Sequence, residues 1–217
     1  MCWNKDISLN TFLFSSFILG LILYNNKYTR YKIKEFEDFW LVIFFMVFII
    51  VQIVEYFVWI NIKNPLYNIF FSSILLLITF IQPIVSLMML KNYDLKFYMI
   101  ISYLIIIISY FGYTLPSLKL NSIVSTKGHL DWNYIHNNNK NNLYQNIVSC
   151  LWLFFFLFSL FYEKKYLGLL FGILTLIVIL YNFMNDRSFT SMWCWIANSM
   201  MIFYATYLLF YLPFKTI

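Results

Sequence analysis

Long apolar runs, separated by short polar stretches, set the organisation of this chain. A helix needs about 20 mainly apolar residues to cross the hydrocarbon of a bilayer. Runs of about that length fall at residues 7–24, 39–60, 66–90, 97–115, 143–162, 166–183 and 192–212. The first and sixth are short, so their ends are fixed only to within several residues. The pattern predicts an all-α polytopic bundle of seven transmembrane helices, forming a single domain over residues 1–217. No basic segment precedes the first run and no small-residue cleavage site closes it, so it reads as a retained span and not as a signal peptide. The two halves share no repeated motif of the kind that marks an inverted-repeat transporter.

The polar exceptions to this pattern carry the information. Gln52 and Glu55 interrupt the second run three residues apart, which places them on one helix face. A charged side chain in hydrocarbon costs about 2.5–3.5 kcal/mol on insertion scales, so it normally faces a partner or a water-filled cavity. Glu55 is either a protonated acid bonded to a neighbouring helix or a carboxylate that binds an ion, a proton or a substrate. At 1.5 Å per residue it lies roughly 7–8 Å below the nearer end of its run, and Asn198 lies about as deep in the seventh. Gln82 sits roughly 24 Å from the start of the third run by the same rise. Gln82-Pro83 therefore reads as a structural kink, where proline removes a backbone donor and the amide caps the freed groups. The other reading is a deeper cavity lined by Gln82.

One connection is long, the extramembrane loop 116–142. Residues 116–126 are polar and suited to an extended conformation. They lead into Gly128-His129-Leu130-Asp131-Trp132, and then into an Asn-rich tract that reads as a solvated linker. A loop of this length with aromatic content is a lid, a binding element or disordered.

Composition agrees with a membrane chain. The sequence is 62% hydrophobic and 11% charged, against about 45–50% and about 25% in soluble domains. The net charge of +6 is spread over short loops, which argues against nucleic-acid binding and for membrane orientation. With the N-terminus outside, Lys27, Arg30, Lys32, Lys34, Lys91, Lys96, Lys164, Lys165 and Lys215 face inward, and Lys5, Lys63, Lys119, Lys127, Lys140 and Arg187 face outward. Nine against six favours an outside N-terminus and an inside C-terminus. Tyr28, Tyr31, Trp40, Trp59 and Tyr67 fall at run ends, as an aromatic belt requires.

This topology gathers Cys2, Trp3, His129, Asp131, Trp132, Asn185, Asp186, Arg187, Trp193 and Cys194 on one side, above Gln52, Glu55 and Asn198. The expectation is an outward-facing polar pocket around Glu55. His129 and Asp131 have the residue types for acid–base or metal work. However, two histidines do not make a zinc site unless a cysteine or acid joins them, so no metal and no cofactor is expected. His136, beside the Asn tract, reads as solvated. Cys2 and Cys194 are either free thiols or a pair on an oxidising face. Trp193-Cys194-Trp195 reads as an interfacial anchor. Arg187 beside Asp186 is most simply a turn ion pair, with Glu55 or an anionic ligand as the other partner.

Met1-Cys2-Trp3, Glu55, Gln82-Pro83, Gly128-His129-Leu130-Asp131-Trp132 and Trp193-Cys194 together resemble an uncharacterised family of seven-span membrane proteins found in bacteria and in large DNA viruses of protists. That family's loop motif is closer to Trp-His-Ile-x-Trp; here Gly128 stands before His129, and Asp131 takes the variable place. The resemblance implies the fold and the choice of residues, and no activity. A codon usage rich in A and T would suit a viral member, in a host endomembrane or virion membrane.

Three readings follow. The first is a binding, sensing or transport component that meets the lipid bilayer and a small ligand, ion or lipid. The second is an intramembrane lipid-modifying enzyme using Glu55, His129 and Asp131, and the third a structural protein of a virion or organelle. No recognised catalytic motif supports the enzyme. Hydrolases of ceramide type need a Ser, an Asp and three His, whereas this chain has two His. A retinal protein needs a Schiff-base lysine within the last span, and Lys215 lies past it.

Overall fold

The computed structural model of the protein describes residues 4–114, 120–132, 142–183 and 188–215. Helix α1 (Lys5–Tyr28) starts at Asn4, whose Oδ1 accepts the Ile7 N–H at 2.9 Å and so satisfies one of the unpaired donors of a helix start. It runs past its apolar stretch because Asn25 turns its amide back to the Leu21 carbonyl at 2.9 Å, so polar residues that read as loop remain helical. A 3-10 turn over Lys34–Glu37 leads to α2 (Phe39–Ile60), capped by Asp38 on the Trp40 N–H at 3.0 Å. Helix α3 (Pro65–Met88) opens on Asn64-Pro65, where the N–H that proline lacks would be unpaired anyway. Helices α4 (Tyr93–Thr114), α5 (Asn142–Tyr162) and α6 (Tyr166–Phe183) follow.

The last apolar run is not one regular helix. It divides into α7 (Phe189–Ala197), α8 (Met200–Thr206), a π-helical turn at Tyr207–Tyr211 and α9 (Leu212–Lys215). Between α4 and α5, a short antiparallel hairpin pairs β1 (Ile123–Val124) with β2 (Leu130–Asp131).

Among the described residues, six segments are long and apolar enough to cross a membrane: α1, α2, α3, α4, α6 and the combined Phe189–Lys215. The apolar part of α5, Asn146–Tyr162, is shorter. The outward faces of the helices carry Phe17, Leu66, Ile108, Leu170 and Leu174 in the open, which is a lipid-facing surface and not that of a water-soluble domain. The chain is thus an all-α, multi-pass membrane protein.

Helix α2 is the hub, packed by α1, α3 and α7. Its Val51, Val58, Gln52 and Glu55 have no exposed surface. Apolar burial does not drive helices together in lipid, so packing and interhelical hydrogen bonds hold the bundle, at roughly 0.6 kcal/mol each on average. Ser86 on α3 meets Ser159 on α5 at 2.6 Å, Trp195 donates to Thr11 of α1 at 3.0 Å, and Trp193 donates to Thr175 of α6 at 3.1 Å. Pro83 has no N–H for the Thr79 carbonyl four residues back. The Trp152 indole of α5 donates to that carbonyl at 2.8 Å, and the Tyr103 hydroxyl of α4 donates to the next one, Phe80, at 2.9 Å.

Polar contacts define the two ends of the bundle. At one end, Lys165 is paired with Asp38 at 2.6 Å, Glu163 accepts the Lys91 N–H at 2.8 Å and Tyr204 donates to Glu35 at 2.8 Å. The hairpin covers the other end.

Candidate functional site

The site begins with the spacing of Gln52 and Glu55. One turn of α2 places the Gln52 Nε2 3.1 Å from Glu55 Oε2, both side chains fully buried. The second carboxylate oxygen, Oε1, accepts the indole N–H of Trp132 at 3.1 Å. Trp132 comes from the hairpin, so the acid of α2 is closed over by the α4–α5 connection. Glu55 has no exposed surface, and the site is shut.

The hairpin's own chemistry holds Trp132 there. Gly128 has φ +82°, a conformation L side chains rarely adopt. Its N–H donates to the Ser125 carbonyl at 3.0 Å, while the Ser125 N–H reaches the His129 carbonyl at 2.8 Å. The result is a tight turn with a glycine bulge. The Ser125 hydroxyl also accepts the His129 N–H at 3.1 Å. Register pairs Ile123 with Asp131 and Val124 with Leu130. Leu130, Asp131 and Trp132 are all buried, so β2 lies inside the bundle mouth. His129 is buried too, its ring edge-on to Phe183 at the end of α6, with centroids 5.3 Å apart.

A clamp on α3 fixes the start of the hairpin. Asn68 and Ser72 lie one turn apart. Asn68 donates to the Ser122 carbonyl at 2.9 Å and accepts its N–H at 2.9 Å, and the Ser72 hydroxyl lies 2.8 Å from that of Ser122. Sequence reasoning did not single out these three residues. The available signal was an Asn and a Ser at i and i+4 near the start of an otherwise apolar helix.

Cys194 and Asn198 reach the site from α7. Asn198 Nδ2 donates to the Cys194 carbonyl at 2.9 Å and to the Phe48 carbonyl of α2 at 3.3 Å. Cys194 is a buried, free thiol that lies beside the Gln82 side chain and within the electrostatic reach of Glu55. Asn198 reaches the Phe48 carbonyl, seven residues or roughly 10 Å below Glu55 along α2. Asn198 and Cys194 thus lie deeper than the sequence placed them, at the level where the Gln82 side chain meets Cys194. Cys2, Trp3, His136, Asn185, Asp186 and Arg187 lie outside the described residues.

Among the described residues, no three His, Cys, Asp or Glu side chains gather as a metal site. The arrangement offers a carboxylate with an N–H on each oxygen, three amides, a thiol and an indole, enclosed by helices. Among the described residues, its thiol meets the Gln82 amide, which is no base. Comparison with family models, with curated proteins and with solved structures finds no match.

Proposed function

We propose that the protein is a seven-span binding or transport component, with its hairpin and N-terminus outside and the Asp38–Lys165 end inside. Helix α5 is then the seventh crossing, its 21 residues reaching about 31 Å at 1.5 Å per residue. The inward bias of Lys and Arg supports the orientation. Glu55 is the residue that recognises a small polar or cationic ligand arriving from outside, and the hairpin is its cover.

One observation carries this reading: the fully buried carboxyl group of α2 takes one of its hydrogen bonds from the connection between α4 and α5, through Trp132. A purely structural acid is satisfied by neighbouring helices, whereas a loop cover suits a site that opens. An intramembrane ionisable residue facing the bundle interior generally marks a substrate or ion pathway. The test is a thermal-shift and liposome-flux screen of small cations and polar solutes on wild type and Glu55→Gln. A solute whose stabilisation or flux disappears in the variant, with the fold retained, is the expected outcome. Indistinguishable responses from the two proteins remove the reading.

A further inference from the structure

Below Glu55, two buried amides leave one polar atom each without a partner among the described residues: Gln82 Nε2, a donor, and Asn198 Oδ1, an acceptor. Both side chains are more than nine-tenths buried. Buried groups of this kind are nearly always satisfied, by protein or by ordered water. One water molecule supplies what is missing here, an oxygen for the Gln82 N–H and a hydrogen for the Asn198 carbonyl. Cys194 adjoins both amides: Asn198 donates to its carbonyl, and the Gln82 side chain lies beside its thiol.

The backbone opens at the same place. After α7 the bonds shorten to three-residue steps: the Asn198 N–H goes to Trp195, Ser199 to Ile196 and Met201 to Asn198. The Cys194 carbonyl thus loses its usual backbone donor and takes the Asn198 side chain instead. Interrupted spanning helices are tolerated where they border a polar cavity, and they commonly mark ion sites.

We propose that Gln82 and Asn198 hold water in a polar chamber at the α7–α8 break, and that Glu55 exchanges its proton through that water. This deepens the reading of Glu55 as the ligand-recognising residue and rests on it for placing the acid at the centre, naming the proton as a ligand. In the step, the carboxyl O–H breaks and its proton joins a water of the chamber; that water gives one of its own protons to bulk water on the hairpin side as the cover opens, the carboxylate stays on Glu55, and no electrons change hands. Phe44, Phe45 and Phe48 follow below on α2 with Phe156 and Tyr204 against them, and a mainly apolar cavity among these rings reaches Glu35 and Lys165 at the other end. Among the described residues, the buried titratable groups on the elements that enclose Glu55 are Cys194 on α7 and His129 and Asp131 on the hairpin. The buried faces of α1 and α3 bring only hydroxyls and amides as polar groups.

The test uses the full chain in lipid nanodiscs. Infrared spectra across the pH range in which the protein stays folded should contain a carboxyl band that Glu55→Gln removes, and that band should shift on transfer to D2O. In Gln82→Leu and Asn198→Leu the exchange should slow by about tenfold or more, because it then waits for local opening of the bundle. Should the leucine variants not fold, radiolytic hydroxyl labelling of the wild type gives the answer, since bound water makes Cys194 react several-fold faster than the equally buried Met192. The proposal is overturned by the lack of any Glu55 band, by unchanged exchange in folded leucine variants, or by Cys194 labelling no faster than Met192. Exchange through Gln82 and Asn198 without Glu55-dependent solute binding keeps the chamber and discards the solute site; solute binding with unchanged exchange does the reverse.

Discussion

Trp132 and Glu55 stand 77 residues apart in the chain and 3.1 Å apart in the fold, indole N–H to carboxylate Oε1. The contact ties the hairpin between α4 and α5 to the buried face of the central helix. It makes the position of the loop and the environment of the acid a single variable.

Replacing Trp132 with Phe keeps a large ring in place and removes only the donor. A typical hydrogen bond contributes about 0.5–1.5 kcal/mol, and losing this one should loosen the cover by an amount in that range. Glu55 should then react faster with a membrane-permeant carbodiimide, read by mass spectrometry of the α2 peptide. Equal rates in wild type and Trp132→Phe would mean that the indole does not restrict access.

Asn68→Ala removes two of the three bonds to the Ser122 backbone and leaves its carbonyl without the Asn68 donor, whereas Ser72→Ala removes the hydroxyl contacts, including one to the Ser122 N–H that Asn68 also accepts. Leaving buried backbone groups unpaired costs about 1–3 kcal/mol, so Asn68→Ala should be the more damaging change. Trypsin cleavage at the exposed Lys127 should accelerate in the order wild type, Ser72→Ala, Asn68→Ala, and the melting temperature should fall in the same order.

Trp152→Phe withdraws the donor that the Thr79 carbonyl takes in place of a Pro83 N–H. The loss should be about 0.6–1.7 kcal/mol, the range of interhelical hydrogen bonds in membranes. Pro83→Ala restores a backbone donor, so the double variant should be less damaged than the sum of the two singles. A double-mutant cycle on thermal stability reads the coupling directly, and strict additivity would show that Trp152 and Pro83 act independently.

Asp38 has two roles, as the cap of α2 and as the partner of Lys165. Asp38→Asn keeps an N-capping side chain and loses the ion pair, which is partly exposed and contributes about 0–1 kcal/mol. Asp38→Ala loses both, adding the roughly 1 kcal/mol of a cap. Thermal melts should therefore rank Asn above Ala, and added salt should narrow the gap between wild type and Asn.

Much of the helical framework was legible in the apolar runs. The second run coincides with α2, because Asp38 caps its start and Asn61 follows its last turn. The first run underestimated α1, since Asn25 pairs with its own helix instead of with water. The break after Ala197 left no trace in the hydrophobic pattern, because a change from four-residue to three-residue bonding alters no side chain's polarity. The shared face of Gln52 and Glu55 follows from their spacing, but the hairpin that covers them depends on contacts 50 or more residues distant, such as Ser72 with Ser122. Gly128 was visible as a residue, while the bulge it makes depends on the pairing of Ser125 with His129.

The order in which these residues are synthesised has a consequence for biogenesis. Glu55 enters the translocon early, the hairpin follows some 70 residues later, and Cys194 and Asn198 emerge only after every other part of the enclosure. Throughout that interval the acid stands in an incomplete bundle, and only the last apolar run, with Cys194 and Asn198, completes its surroundings.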